Sequence, residues 1–475
     1  MSASTPSGSS SGPSSEPGSV AGSILSDLGA SPTPYHAVER AASLLGDAGF
    51  VRLPLDQPLP TTAGNYLVTS GGSLMAWMQQ DTHRGFTVVG AHTDSPNLRV
   101  RTKPDVSSAG YEQIGMEVYG GVLLNSWLDR GLGLAGRVSV AGENGTAGDV
   151  EERLILDDRP VMIVPQLAIH LDRKIMAEGL KLDPQKHMVP IWALAGDASG
   201  EGEGEDAATG DGDGTGGGGV SEATLRSHVA TMLGIETDRI LSWDLMAFDT
   251  QQPEVIGRDQ DLFSSGRIDN LLSSFCGVRA LMRVAAPEAG GADGSGLART
   301  PVLALYDHEE IGSESATGAA GVFLASLLER IATAQGASRD QYLASLHRSI
   351  VVSADGAHAT HPNYVERHEP SHRIAMNRGV VIKRNANQRY ATDATSEAFI
   401  VDVCRSADVP LQYYIHRNDL PCGSTIGPIT AARLAVPTVD IGAPQLAMHS
   451  ARETAGLADV GHLEATLHAA WRHGS

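Results

Sequence analysis

The sequence predicts an α/β protein: a split domain with a largely parallel central sheet flanked by helices, interrupted by a β-rich inserted domain. Three observations point there. Past Gly266, short apolar runs alternate with helical stretches, the pattern of strands and crossover helices in a mainly parallel sheet. A run of the same kind, Gly85 to Ala91, lies far upstream and feeds directly into His92-Thr93-Asp94-Ser95-Pro96. Between them, from about Asn97 to Arg258, the texture changes to short alternating runs separated by Gly, Asn and Asp turns. The chain therefore enters, leaves and re-enters one sheet, giving a split domain of 20–96 with 256–475 and an insertion of 97–255.

The elements follow in order. Residues 1–19 are mostly Ser, Gly and Pro, which cannot bury enough apolar surface to offset chain entropy, and read as a disordered tail. Thr33 is a candidate N-cap with Pro34 at the first helical position. Val38, Ala41, Ala42 and Leu45 then recur at helical spacing until Gly46 and Gly49 limit the helix. Inside the insertion, Met116 to Tyr119 and Arg153 to Leu156 alternate as strands do. Residues 197–220 carry six carboxylates between Glu201 and Asp213 among glycines without EF-hand spacing, and are expected to be a disordered, solvated loop.

Asp269 sits at the start of a helix whose apolar face is Leu271, Leu272, Phe275, Val278 and Leu281 or Met282. Ala286 to Ala298 is a glycine-rich surface loop. Val302 to Tyr306 has the length and character of a buried strand, begun by Pro301 and stopped by Gly312 and Ser313, so Glu309-Glu310 lies where a strand meets a loop. Four further strands are expected at Ile350 to Ser353, Gly379 to Ile382, Leu411 to Ile415 and Val436 to Ile441.

Composition narrows the function. The 475 residues are 41% hydrophobic, ample for a sizeable core, and 35 basic against 56 acidic residues give a net charge of −21. Such a field argues against nucleic acid or an anionic membrane as partner and favours cations, metals among them. Cys276, Cys404 and Cys422 are widely spaced, indicating neither a disulfide framework nor a thiolate zinc site. With no leader-like N-terminus and no membrane-length apolar span, a cytoplasmic setting is expected.

In an open α/β sheet, ligands bind at the carboxyl ends of the strands. His92, Glu309, Glu310 and Asp355 follow strands, His449 lies beyond another, and Asp269 opens a helix. Each alone has an ordinary explanation as a core histidine, cap or turn former. Together, two imidazoles and at least three carboxylates without thiolates suit a pair of ions such as zinc, manganese or cobalt. Two such ions activate a shared water and polarise a carbonyl, which is hydrolytic chemistry. Adjacent glutamates suit it, one carboxylate binding metal while its neighbour moves the proton. Asp94, two residues past His92, is placed to hold the remaining imidazole N–H.

At this point His92-Thr93-Asp94-Ser95-Pro96, Ser265-Gly266-Arg267-Ile268-Asp269-Asn270, Asp307-His308-Glu309-Glu310-Ile311-Gly312-Ser313, Ser353-Ala354-Asp355-Gly356-Ala357-His358 and Pro444-Gln445-Leu446-Ala447-Met448-His449-Ser450 resemble, in order, the signature segments of the aspartyl aminopeptidase (M18) family of metallopeptidases. The resemblance runs from about Ser23 to the C-terminus, excluding the acidic loop. It implies a di-zinc exopeptidase fold in which Asp269 bridges the ions, His92 and Asp355 complete one site, Glu310 and His449 complete the other, and Glu309 is the general base. It also implies that Lys383 faces the acidic side chain of the substrate. His170, in Gln166 to Arg173, would reach the active site of a neighbouring subunit, contributing to catalysis and substrate binding.

The implied activity is removal of N-terminal Asp or Glu from peptides by a homo-oligomer, a dodecamer in similar proteins. Arg417 to Pro428 also resembles a family segment, a loop running into a helix whose free N–H groups could bind a carbonyl or carboxylate. Two alternatives stay open: a di-metal aminopeptidase of other specificity, and a metal-stabilised self-assembling scaffold without turnover.

Overall fold

The computed structural model describes residues 19–142, 148–195, 224–286 and 296–474. The N-terminal tail up to residue 18, the acidic loop and most of the expected loop after Ala286 lie outside the described residues. Ser19 is the N-cap of the helix Val20–Gly29, its hydroxyl accepting from the Gly22 amide. The chain divides into two compact units, the first of residues 1–96, 119–126 and 251–475, the second of 97–118 and 127–250.

The main sheet of the first unit has nine strands in the order Val51–Arg52, Gly64–Ser70, Ser73–Gln79, Thr300–Tyr306, Phe86–His92, Ile350–Ala354, Thr438–Gly442, Val380–Arg384, Leu411–Ile415. The four strands from Thr300–Tyr306 to Thr438–Gly442 are mutually parallel. They are buried along their whole length because both faces are covered, which is why they read as continuous apolar runs rather than as alternation. Successive side chains still take opposite faces. Val89, Leu303 and Leu305 join one core with helices Val20–Gly29, Pro34–Asp47, Ile268–Ala285 and Leu457–Arg472, while Val88, Val302 and Ala304 join another with Phe323–Ala334, Arg339–Leu346 and Ile426–Leu434.

The Thr33 hydroxyl caps the helix Pro34–Asp47, with Pro34 in its first turn. Two details depart from expectation. The backbone of Asp269 (φ −83°, ψ 107°) is not helical, so its carboxylate projects from a bend rather than from a regular first turn. Lys383 lies within the strand Val380–Arg384, which runs antiparallel to Thr438–Gly442, rather than beyond the strand's end.

A smaller sheet in the same unit runs in the order Glu254–Ile256, Leu262–Ser265, Glu453–Gly456, Pro444–Leu446, Ala357–His358. The second unit is built on a six-stranded sheet, in the order Val150–Met162, Leu132–Ala141, Ile240–Asp249, Asn97–Ser108, Tyr111–Tyr119, Ile191–Leu194. Among the described residues, no helix is long and apolar enough to cross a membrane.

Candidate metal centre

Parallel register brings the first group of residues to one edge. Tyr306 pairs with His92 and Ser353 with Gly90, so the chain leaves three neighbouring strands at nearly the same level. The Thr93 amide donates to the Tyr306 carbonyl at 2.8 Å, which holds the segment after His92 against the strand that leads to Glu309 and Glu310.

His92 is 1% exposed, and its Nδ1 lies 2.9 Å from the Asp94 carbonyl oxygen. A carbonyl can only accept, so Nδ1 carries a proton, and Nε2 is the nitrogen left to titrate or to take a metal. Nε2 faces Asp269 Oδ1 at 3.4 Å and Asp355 Oδ1 at 3.7 Å. His449 is built the same way. Its Nδ1 donates to the Gly121 carbonyl at 3.0 Å, and Nε2 faces Asp269 Oδ2 at 3.4 Å and Glu310 Oε2 at 3.3 Å. The two oxygens of Asp269 thus each look at a different imidazole.

The Asp94 carboxylate does more than the sequence suggests. Its oxygens accept from the amides of Glu309 and Glu310, both at 3.1 Å, and from the Tyr119 hydroxyl at 2.8 Å, while Oδ1 lies 3.4 Å from His92 Nδ1. The imidazole is therefore fixed mainly by the Asp94 backbone, and the carboxylate orients the glutamate pair.

These residues fit a metal. Zinc bonds of about 2.0–2.1 Å set neighbouring tetrahedral donors roughly 3.3 Å apart, close to the imidazole–carboxylate separations here. Asp269 Oδ1 is buried without a hydrogen-bond partner, an orphan that a cation would satisfy. Among the described residues, His92, Asp269 and Glu310 offer ligand atoms within 4.8 Å of one another. Nitrogen and oxygen donors without thiolate suit zinc, manganese or cobalt.

Electrostatics agree. Burial, reinforced by the Asp355, Asp94 and Asp269 carboxylates and opposed by His92, pushes Glu309 up to about 8. Burial and the Asp269 charge also raise Glu310 well above the usual carboxylate range. Burial would raise Asp269 too, but the His449 and His92 imidazoles outweigh it and hold it well below. Among the described residues, the carboxylates of Asp94, Asp269, Glu309, Glu310 and Asp355 gather at this edge, with the Lys383 ammonium beside Asp355.

Lys383 is 2% exposed, and its Nζ donates to the carbonyls of Asp355 and Gly356, both at 3.1 Å. It lies 3.7 Å from Asp355 Oδ2 and 5.2 Å from the centre of the Tyr390 ring. His170 belongs to the second unit, on an exposed turn with Ile169 and Leu171. At the helix Ile426–Leu434 the first-turn amide of Gly427 is already met by the Thr425 hydroxyl, which itself donates to Asp440 at 2.6 Å.

Tyr119, Gly121 and Glu453 were not singled out from the sequence. Tyr119 ends a strand just before Gly120-Gly121, the one local hint available; a main-chain acceptor such as Gly121 and a lone glutamate after His449 leave no signature.

Comparison with known proteins follows the same line. The family model described as aminopeptidase I zinc metalloprotease (M18) matches residues 28–470. The chain is 46% identical over 433 residues to a probable M18 family aminopeptidase 2 of Streptomyces avermitilis, covering 90% of this chain and 92% of the relative. It is 44% identical over 447 residues to the protein of the same description in Mycobacterium leprae, covering 93% and 96%. Among solved structures, one of an Ape4 and Nbr1 complex matches with a TM-score of 0.86 at 34% identity over 95% of this chain and 85% of that one. The Saccharomyces cerevisiae mApe1 dodecamer matches at 0.79 and 25% identity, covering 96% of each chain.

Proposed function

Because the chain belongs to the M18 family of aminopeptidase I zinc metalloproteases, we propose that it removes N-terminal Asp or Glu from peptides with two divalent ions, zinc in the first instance, and Glu309 as general base. The observation that carries the two-ion reading is Asp269, whose two oxygens each lie 3.4 Å from a different imidazole Nε2. His92 and Asp355 would hold one ion with Asp269, and His449 and Glu310 the other. The excess of carboxylates supports two dications rather than one.

Bound zinc lowers the pKa of water and polarises the scissile carbonyl. The rest falls to the side chains. Glu309, held beside the ligand carboxylates but assigned to neither ion, takes the proton from the attacking water and gives it to the leaving amine nitrogen as the carbon–nitrogen bond breaks. Asp94 holds the Glu309 and Glu310 amides so that one carboxylate stays with the metal and the other stays free to move the proton. Lys383 supplies the positive charge that favours an acidic first residue. His170 joins the site from another subunit of a homo-oligomer, as expected for a relative of a dodecameric aminopeptidase. The setting is cytoplasmic.

Lys383 also admits a second role, favoured by its two bonds to the carbonyls of the Asp355 segment: it supports that ligand. The test of the main reading is hydrolysis of matched peptides beginning with Asp, Glu, Ala or Leu by zinc-loaded protein, with a chelated control. Turnover confined to the acidic peptides and abolished by chelation is expected. Equal turnover of all four moves the assignment to an aminopeptidase of other specificity, and zinc binding without turnover moves it to a scaffold.

A further inference from the structure

The metal centre has a buried carboxylate that neither ligates nor carries a proton in the scheme above. Glu453 is 1% exposed. Its Oε2 accepts from the Asp269 amide at 3.0 Å, and its Oε1 accepts from the His449 amide at 2.8 Å and from Gln445 Nε2 at 3.3 Å. One side chain therefore ties together the backbones of two residues that face each other across the centre.

The fold explains how. Glu453 opens a strand of the smaller sheet that lies between Leu262–Ser265, which leads into Asp269, and Pro444–Leu446, which leads to His449. Both ligands lie past the ends of regular pairing. Asp269 has non-helical angles, and His449 sits at φ +69° two residues after Ala447 at φ +55°, a region costly for residues with a Cβ. Such backbones stay put only when something over-determines them.

We propose that Glu453 is a positioning residue that presets the Asp269–His449 pair for one of the two ions before metal arrives. This rests on the two-ion reading of the site. Glu453 has no bond to His92, Asp355 or Glu310, so it acts on the centre through two backbones, that of His449 and that of Asp269, whose oxygens face both imidazoles. In Glu453→Gln the amide keeps one acceptor and turns a donor toward the other N–H, so only one of the two backbones can be held.

The experiment is zinc titration against a chelator of known affinity, with wild-type protein and Glu453→Gln, both checked for unchanged melting temperature. Wild type is expected to take up two equivalents. The variant is expected to bind at least one of them roughly 10- to 100-fold more weakly, the loss seen for groups that orient metal ligands. At limiting zinc its kcat should fall while KM for the peptide changes by less than about threefold, since substrate binding is not touched.

If wild type takes up fewer than two equivalents, the reading of the site fails and this inference with it. If wild type takes up two and the variant holds both as tightly, Glu453 alone is misassigned. Should the variant not fold, hydrogen exchange on metal-free wild type decides: slow exchange of the Asp269 and His449 amides is expected, and fast exchange of both overturns the proposal.

Discussion

Glu309 and Lys383 are the residues on which the chemistry can be tested most directly. Glu309 sits among carboxylates yet is assigned no metal, so Glu309→Gln should keep the zinc content while lowering kcat by about 10²- to 10⁴-fold, the usual worth of a general base. Metal analysis beside steady-state kinetics checks this, and unchanged turnover would sink the assignment. Lys383→Ala separates two roles for one ammonium. If it reads the substrate, kcat/KM should fall roughly 10- to 100-fold for peptides beginning with Asp or Glu and hold for Ala and Leu, in keeping with the loss of a charged hydrogen bond. If instead it serves the Asp355 and Gly356 carbonyls, all substrates should suffer alike and zinc should bind more weakly. At this scale the sequence was legible where a residue carries its own chemistry: His92, Asp269, Glu310, Asp355 and His449 could be picked out as side chains. Asp94 was legible only in part, because its carboxylate turned out to be occupied by the Glu309 and Glu310 amides and Tyr119.

At the scale of elements, the centre depends on how closely the ends of two adjacent strands approach. A Cβ on Gly442, the last residue of Thr438–Gly442, would collide with the Asp355 carbonyl oxygen, which is also an acceptor for Lys383. Gly442→Ala should therefore shift Asp355, weaken zinc binding and cut kcat by on the order of 10²-fold, the cost of a small misplacement in an active site. Gly461→Ala is the matched control. It lies in the helix Leu457–Arg472, a Cβ there meets nothing within 4 Å, and the change should stabilise by about 0.5–1 kcal/mol with activity intact. Denaturant midpoints and zinc titration on the two variants distinguish a site effect from a general one. The strands themselves were foreseeable as apolar runs, but which strand lies beside which was not, since Gly442 meets Asp355 only through the parallel pairing of Ile350–Ala354 with Thr438–Gly442.

For the whole molecule, metal and stability should be linked. The proposed ligands come from segments spread between residues 92 and 449, and the folded chain brings them together, so zinc should bind the native state more tightly than the unfolded one. Adding zinc to chelated protein should raise the melting temperature with concentration, by the equivalent of roughly 2.7 kcal/mol at a hundred times Kd. A melting temperature indifferent to zinc would contradict the centre. The sequence by itself determined the α/β class and offered the β-rich insertion and the candidate ligands as expectations, because buried strands, turn residues and chemically active side chains are written locally. The tertiary structure alone decided what holds those ligands. His449 is set by the Gly121 carbonyl 328 residues away and Asp269 by Glu453 184 residues away. A backbone carbonyl has no side-chain signature and a lone glutamate has many uses, so such partners become visible only once the chain has closed over itself.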